Sequence, residues 1–192
     1  MTRDEALEIF TSSGALLRGH FLLTSGRHSD SYMQCAQVLR LPAHTERLAA
    51  HLAAEFAGDA IDLVIGPAMG GIIVAYEVAR QLGVPGIFTE RQPDGQMALR
   101  RGFSIAPGGR ALVVEDVVTT GGSVREVIEL VQASGGVVAG VGVLVDRSDG
   151  AVDFGVKQRA TLSLNVPSWE ADECPLCSQP GAGPAVKPGS RR

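Results

Sequence analysis

The sequence predicts an α/β fold, an open and mostly parallel sheet flanked by helices. Three observations lead there. Short apolar runs recur at residues 61–65, 111–114 and 137–145, the last of them long and without internal charge, the pattern of strands buried on both faces. Two of these runs pass through a small-residue loop into apolar residues at helical spacing. The first is Gly66-Pro67-Ala68-Met69-Gly70-Gly71 before a helix over 72–82; the second is Thr119-Thr120-Gly121-Gly122-Ser123 before Val124, Val127, Ile128 and Val131. The 24 glycines among 192 residues fit a chain with many tight strand-to-helix turns.

The remaining elements follow in order. Residues 2–13 read as a helix, with Thr2 and Glu5 at capping-box spacing, an apolar face of Ala6, Leu7, Ile9 and Phe10, and Gly14 as its stop. Two short apolar runs around a polar turn at 24–30 predict a hairpin whose second strand spans about 31–35. Residues 42–57 read as an amphipathic helix opened by Pro42. A strand is expected at 84–89. Residues 90–103 then break the rhythm with the turn signal Pro93-Asp94-Gly95, which predicts a protruding hairpin or mobile loop. A last strand is expected at 160–166. Beyond it the chain turns rich in Pro, Gly and Ser, so 1–166 reads as a single domain and 167–192 as an extended or partly mobile tail.

Composition narrows the class. At 45% hydrophobic and 20% charged, the chain is long enough for one domain with a substantial core. A net charge of −4 gives no reason to expect nucleic acid as a partner. The polar start MTRDEALEIF is unlike a signal peptide, and no apolar run approaches the roughly 20 residues of a membrane span. Three cysteines do not make a disulfide framework, so a cytoplasmic location is expected. Cys174 and Cys177 form a CxxC pair, but the tail offers no histidine or further cysteine to complete a zinc knuckle. Ordinary thiols are the expectation there, with His20 and His28 solvated on the hairpin.

The stretch Ala111–Ser123 carries the chemistry. A strand end, a loop of small residues and a helix amino-terminus converge exposed N–H groups and a positive dipole end on one point, which makes an anion cradle. Glu115 and Asp116, set just before the cradle, would repel a phosphate and so suit another part of the same ligand, namely sugar hydroxyls. A phosphate at one end and a cis-diol at the other describe a ribose 5-phosphate. No Gly-Lys-Ser/Thr follows, which excludes a nucleoside triphosphate P-loop, and GxGxxG is absent. No Ser-His-Asp or Cys-His set presents itself as a nucleophile.

VVEDVVTTGGS resembles the phosphoribosyl diphosphate (PRPP) signature of the phosphoribosyltransferases. FLLTSGRHSDSYMQC resembles the amino-terminal hood of the orotate phosphoribosyltransferases, with Phe21, Leu23, Ser25, Gly26, Arg27, Ser29 and Tyr32 at matching positions and Thr24 where the family carries a lysine. The resemblance implies a type I phosphoribosyltransferase fold with a hood over about 14–40 and a flexible loop over about 90–103. It also implies transfer of the 5-phosphoribosyl group from PRPP to orotate, giving orotidine 5′-monophosphate and diphosphate.

The same resemblance distributes the roles. Thr119, Thr120, Gly121, Gly122 and Ser123 would bind the 5-phosphate. Glu115, Asp116 and Arg91 would be catalytic. Ala68, Met69, Gly70 and Gly71, with Arg91, Arg100 and Arg101, would bind diphosphate. Ser25, Gly26, Arg27, Thr120 and Arg147 would hold orotate, whose carboxylate suits a guanidinium fork. Mg²⁺ would be the cofactor, held by substrate oxygens with no ligand directly from the protein. A homodimer with the loop shared across its interface is implied, with no membrane or nucleic acid partner. In the loop, Arg91 matches the family's leading arginine, while the usual lysines and histidine are missing. The sequence resembles a bacterial subgroup with an Arg-Arg-Gly version, here Arg100-Arg101-Gly102. Two alternatives stay open: transfer to a purine base, and a non-catalytic PRPP-sensing regulator.

Overall fold

A computed structural model describes residues 1–23, 25–179, 181 and 183–188. Thr24 of the expected hairpin turn and positions 180, 182 and 189–192 of the expected tail lie outside these.

Helix α1 (Arg3–Ser12) opens on the capping box that the sequence indicated: Glu5 N–H donates to the Thr2 hydroxyl, and Thr2 N–H donates to the Glu5 carboxylate at 2.6 Å. Strands β1 (Leu16–Leu22) and β2 (His28–Met33) form the antiparallel hairpin. Its turn is tighter than the 24–30 expected, because Leu23 N–H bonds the Arg27 carbonyl and pairing resumes at Leu22 with His28. A short helix α2 (Ala36–Leu39), not foreseen, leads into α3 (Pro42–Ala54).

The strand–loop–helix units follow. Strand β3 (Leu63–Pro67) enters α4 (Gly70–Leu82), then β4 (Gly86–Arg91), the short β5 (Met97–Leu99), β6 (Arg110–Val118), α5 (Gly122–Ala133), β7 (Val137–Asp146) and β8 (Gln158–Ser163). Among the described residues, the main sheet runs β5-β4-β3-β6-β7-β8, parallel except for β5. The expected protruding loop is the β4–β5 hairpin, turned at Gln92–Gln96.

Helices cover both faces, and side-chain alternation shows how. On β6, Leu112 and Val114 pack with the cluster of α1, α3 and α4, whereas Ala111 and Val113 pack with Val124, Val127 and Val131 of α5. Every one of these residues is buried. Because α4 and α5 lie on opposite faces, the chain changes winding direction between the neighbouring strands β3 and β6. Open parallel sheets bind ligands outside the carboxyl ends of the strands at such a switch point.

The described residues beyond 166 are not simply an extended tail. Strand β9 (Ser168–Trp169) adds to β2, with His28 opposite Trp169, and Val186 bridges Phe21 on the other edge of the hairpin. His20 is not solvated as expected. It is buried, and its Nδ1 lies 3.0 Å from the Gly183 carbonyl. No described helix is long and apolar enough to cross a membrane.

Candidate active site

Two loops meet at the switch point. After β6, the chain turns at Gly121, whose φ of +78° is costly for any other residue. A Cβ there would also lie 2.8 Å from Phe154 and Val152. With glycine at its N-cap, α5 has no side-chain cap. The first-turn N–H groups, which lack intrahelical partners, are left for a ligand. Thr119, Thr120, Gly121, Gly122 and Ser123 line one cavity of about 250 Å³ together with Arg91, Glu115 and Glu126. The structure thus brings all five expected phosphate-loop residues to one place.

The second loop, between β3 and α4, presses against the acid pair. A Cβ on Gly70 would fall 2.2 Å from Asp116 Oδ2, and one on Gly66 would fall 2.5 Å from the Gly71 carbonyl oxygen. Only bare backbone fits there, so the start of α4, which also lacks a side-chain cap, lies directly against Asp116. Met69 projects outward, 82% exposed.

Glu115 is buried and Asp116 partly so. Asp116 N–H donates to Glu115 Oε1 at 3.0 Å, and Val117 N–H donates to Asp116 Oδ1 at 2.8 Å. Burial, reinforced by the neighbouring Asp116 carboxylate, pushes the Glu115 carboxyl up to about 9, and burial also raises Asp116. Among the described residues no arginine or lysine bonds either group. The ligand-free pair therefore retains a proton at neutral pH, and a cation or a set of hydroxyl donors would be needed to ionise it fully.

The sign of this shift makes a prediction. Unfolding returns Glu115 to an ordinary value near 4.5, so between that pH and about 9 the native state binds more protons than the unfolded one. Its stabilising share is complete below the lower value and is lost as pH rises through the upper one. Glu115→Gln should flatten this slope. In thermal unfolding of the ligand-free protein, the variant's midpoint should rise by several degrees relative to the parent at pH 8, at about 2–4 °C per kcal/mol, and barely move at pH 5. An equal shift at both pH values would refute the assignment.

The arginines divide. Arg91 lines the cavity, and its guanidinium donates to Glu126 Oε1 at 3.0 Å and to the Gly95 carbonyl. Glu126 was not singled out in the sequence; its position one turn beyond Gly122, on the cavity end of α5, is the signal that marks it. Arg101 is held by Glu90 through two bonds of 2.9 Å and lies over the Phe88 ring, outside the cavity lining. Arg100 is exposed at the hairpin base. Arg27 donates to the Ser168 hydroxyl at 3.0 Å, to the Ser168 carbonyl at 2.6 Å and to Glu170, so its donors serve the tail and not the cavity. Ser25 sits in the same exposed turn, and neither it nor Gly26 lines the cavity.

Arg147, at the carboxyl end of β7, is half-buried, and its Nε has no hydrogen-bond partner among the described residues. Desolvation lowers its guanidinium from the usual value. The adjacent Asp146 does not neutralise it, because that carboxylate accepts from Ser148 N–H, Ser148 Oγ and Gly150 N–H. A desolvated guanidinium with an unspent donor suits a planar anionic ligand.

Comparisons with known proteins bear on the family of the whole chain. The family model described as "Phosphoribosyl transferase domain" matches residues 34–155. The chain is 65% identical to an orotate phosphoribosyltransferase of Pelotomaculum thermopropionicum over 192 residues, covering 100% of both chains. It is 61% identical to one of Heliobacterium modesticaldum, again with full coverage of both. Among solved structures it resembles the crystal structure of orotate phosphoribosyltransferase from Aeropyrum pernix, with TM-score 0.69 and 32% identity, over 82% of this chain and 92% of that one.

Proposed function

The chain belongs to the orotate phosphoribosyltransferases, within the wider phosphoribosyl transferase family, and from that premise we infer how its site works. It transfers the 5-phosphoribosyl group from PRPP to orotate, a step of pyrimidine biosynthesis that yields orotidine 5′-monophosphate and diphosphate. In this reaction a ring nitrogen of orotate bonds to C1 of the ribose as the C1–O bond to diphosphate breaks.

One arrangement supports the residue roles above all: the uncapped start of α5 and the Glu115–Asp116 pair share one end of the sheet, at its switch point. The N–H groups and hydroxyls of 119–123 hold the 5-phosphate. Glu115 and Asp116 accept the ribose hydroxyls, and their negative charge favours the cationic sugar that develops as the leaving group departs. The uncapped start of α4, at 68–71, receives the diphosphate with Arg91, which exchanges its Glu126 contact for the ligand. Arg147 takes the orotate carboxylate, with Thr120 nearby in the loop. Arg100 and Arg101 remain candidates for the diphosphate if the β4–β5 hairpin closes, because Arg101 must first leave Glu90. Ser25, Gly26 and Arg27 support the base only through the hood.

A buried acid pair without a cationic partner fits a divalent cation carried in by the sugar diphosphate. Mg²⁺ entering with the substrate would supply neutralisation of the leaving group's charge. A cytoplasmic homodimer whose β4–β5 hairpins complete each other's sites accords with the exposure of that hairpin.

Mixing the protein with orotate, PRPP and Mg²⁺ and following the loss of orotate absorbance tests the reading. Turnover of orotate is the expected result. Turnover of hypoxanthine or adenine instead would move the activity to a purine base. PRPP binding without turnover of any base would make the chain a PRPP-sensing regulator.

A further inference from the structure

The hairpin and the tail bring together four side chains that the transfer reaction does not use: His20 and His28 with Cys174 and Cys177. Their ligand atoms all lie within 4.8 Å of one another. His20 Nε2 is 3.0 Å from His28 Nδ1, 3.6 Å from Cys174 Sγ and 3.7 Å from Cys177 Sγ, and Cys177 Sγ is 3.2 Å from His28 Nδ1. A tetrahedral zinc ion with Zn–N near 2.0 Å and Zn–S near 2.3 Å requires its ligands at about 3.3–3.8 Å from one another. Four of the six pairs thus stand at 3.0–3.7 Å, close to those spacings, and all six lie within 4.8 Å, a shell small enough for one ion.

Three further observations point the same way. First, His20 is buried, and its outer nitrogen Nδ1 faces the Gly183 carbonyl at 3.0 Å. Nδ1 must therefore carry the proton and donate it, which leaves a lone pair on Nε2 aimed at the cluster. This outer hydrogen bond is the usual support of a metal-bound imidazole. Second, β1 carries an irregularity between Arg18 and Phe21, where Gly19 and His20 stand against the single residue Asp30. Bulges re-aim side chains in this way. Third, Cys174 is the only buried residue among those described beyond Leu164, yet the segment pairs with both edges of the hairpin. A segment with so little apolar burial needs another source of order, as small metal-stapled units do.

We propose that His20, His28, Cys174 and Cys177 form a structural zinc site that staples the carboxyl-terminal segment to the hood hairpin. Two imidazoles and two thiolates in a tetrahedral shell suit zinc better than the hard, oxygen-preferring Mg²⁺ of the reaction, and all four positions are filled by protein, so the site holds the metal without offering it to substrate. Binding displaces the two thiol protons to solvent and involves no change of oxidation state.

The test uses the untagged full chain purified under reducing conditions. Elemental analysis should give one zinc per chain, and Asp116→Asn should retain it, which separates this site from the reaction centre. Cys177→Ser and Cys174→Ser should each lower zinc at least tenfold. Exchange of Co²⁺ for zinc in the unaltered protein should produce tetrahedral ligand-field bands and a thiolate charge-transfer band. The chain's single tryptophan, Trp169, lies opposite His28 across β2 and β9, so chelation should shift its emission to the red and Zn²⁺ should reverse the shift. These last two readouts need no variant to fold. A reduced protein that neither contains zinc nor takes up Zn²⁺ or Co²⁺ would overturn the proposal, as would a Cys174–Cys177 disulfide persisting in the native protein.

Discussion

Replacing Asp116 by asparagine is expected to lower turnover of orotate roughly 10²-fold or more, the scale seen when one preorganised electrostatic group is removed from a transition state. The substitution preserves shape. An asparagine Oδ1 still accepts from Val117 N–H at 2.8 Å, and the amide occupies the space against Gly70 that no larger group could share. What disappears is a negative charge beside the sugar, and that charge matters most when the ribose becomes cationic. PRPP affinity should therefore stay within a few-fold, because the phosphate is gripped by backbone N–H groups three to seven positions further on. Steady-state kcat beside a calorimetric Kd for PRPP separates the two quantities. A variant with near-parental kcat and lost PRPP binding would reverse the roles given to acid pair and loop.

The second large effect is expected at Arg147. Truncation to alanine should raise KM for orotate roughly 10²-fold, since removing one partner of a buried, hydrogen-bonded charge pair costs about 2–5 kcal/mol and each tenfold corresponds to about 1.4 kcal/mol. Saturating orotate should recover most of kcat. Arg147→Lys should restore only part of the affinity, because an ammonium is a point charge and cannot grip a carboxylate bidentately. A structural role predicts something different. If Arg147 held the β7 end in place, alanine would lower the melting temperature; since its Nε lacks a partner and its guanidinium is desolvated, the ligand-free variant should melt no lower than the parent. A clear fall in melting temperature with unchanged KM would remove Arg147 from the base site.

What could be read in advance depended on how far apart in the chain the partners lie. The acid pair, the glycine turn and the start of α5 are contiguous, so residues 115–123 and the fold around them were legible from local pattern. Strand ends were less so. The run at 61–65 became β3 at Leu63–Pro67, because Gly66 and Pro67 pair with Phe88 and Thr89, a register that no local window contains. The last strand, expected at 160–166, runs over Gln158–Ser163 for the same reason, with Gln158 paired to Val141. For Arg27 the residue type suited an anion, whereas its acceptors in the structure, Ser168 and Glu170, stand about 140 residues later. The CxxC pair looked incomplete for a similar reason: its two histidines belong to the other end of the chain.

The tail has one more consequence. A two-stranded hairpin exposes an unpaired row of N–H and C=O groups on each side, a template on which foreign strands assemble. Here β9 occupies the β2 side, and on the β1 side the Leu22 and Val186 N–H groups bond the Val186 and His20 carbonyls at 2.9 Å. By folding back to sit on both flanks, the carboxyl-terminal residues guard the hairpin against aggregation as well as shaping it.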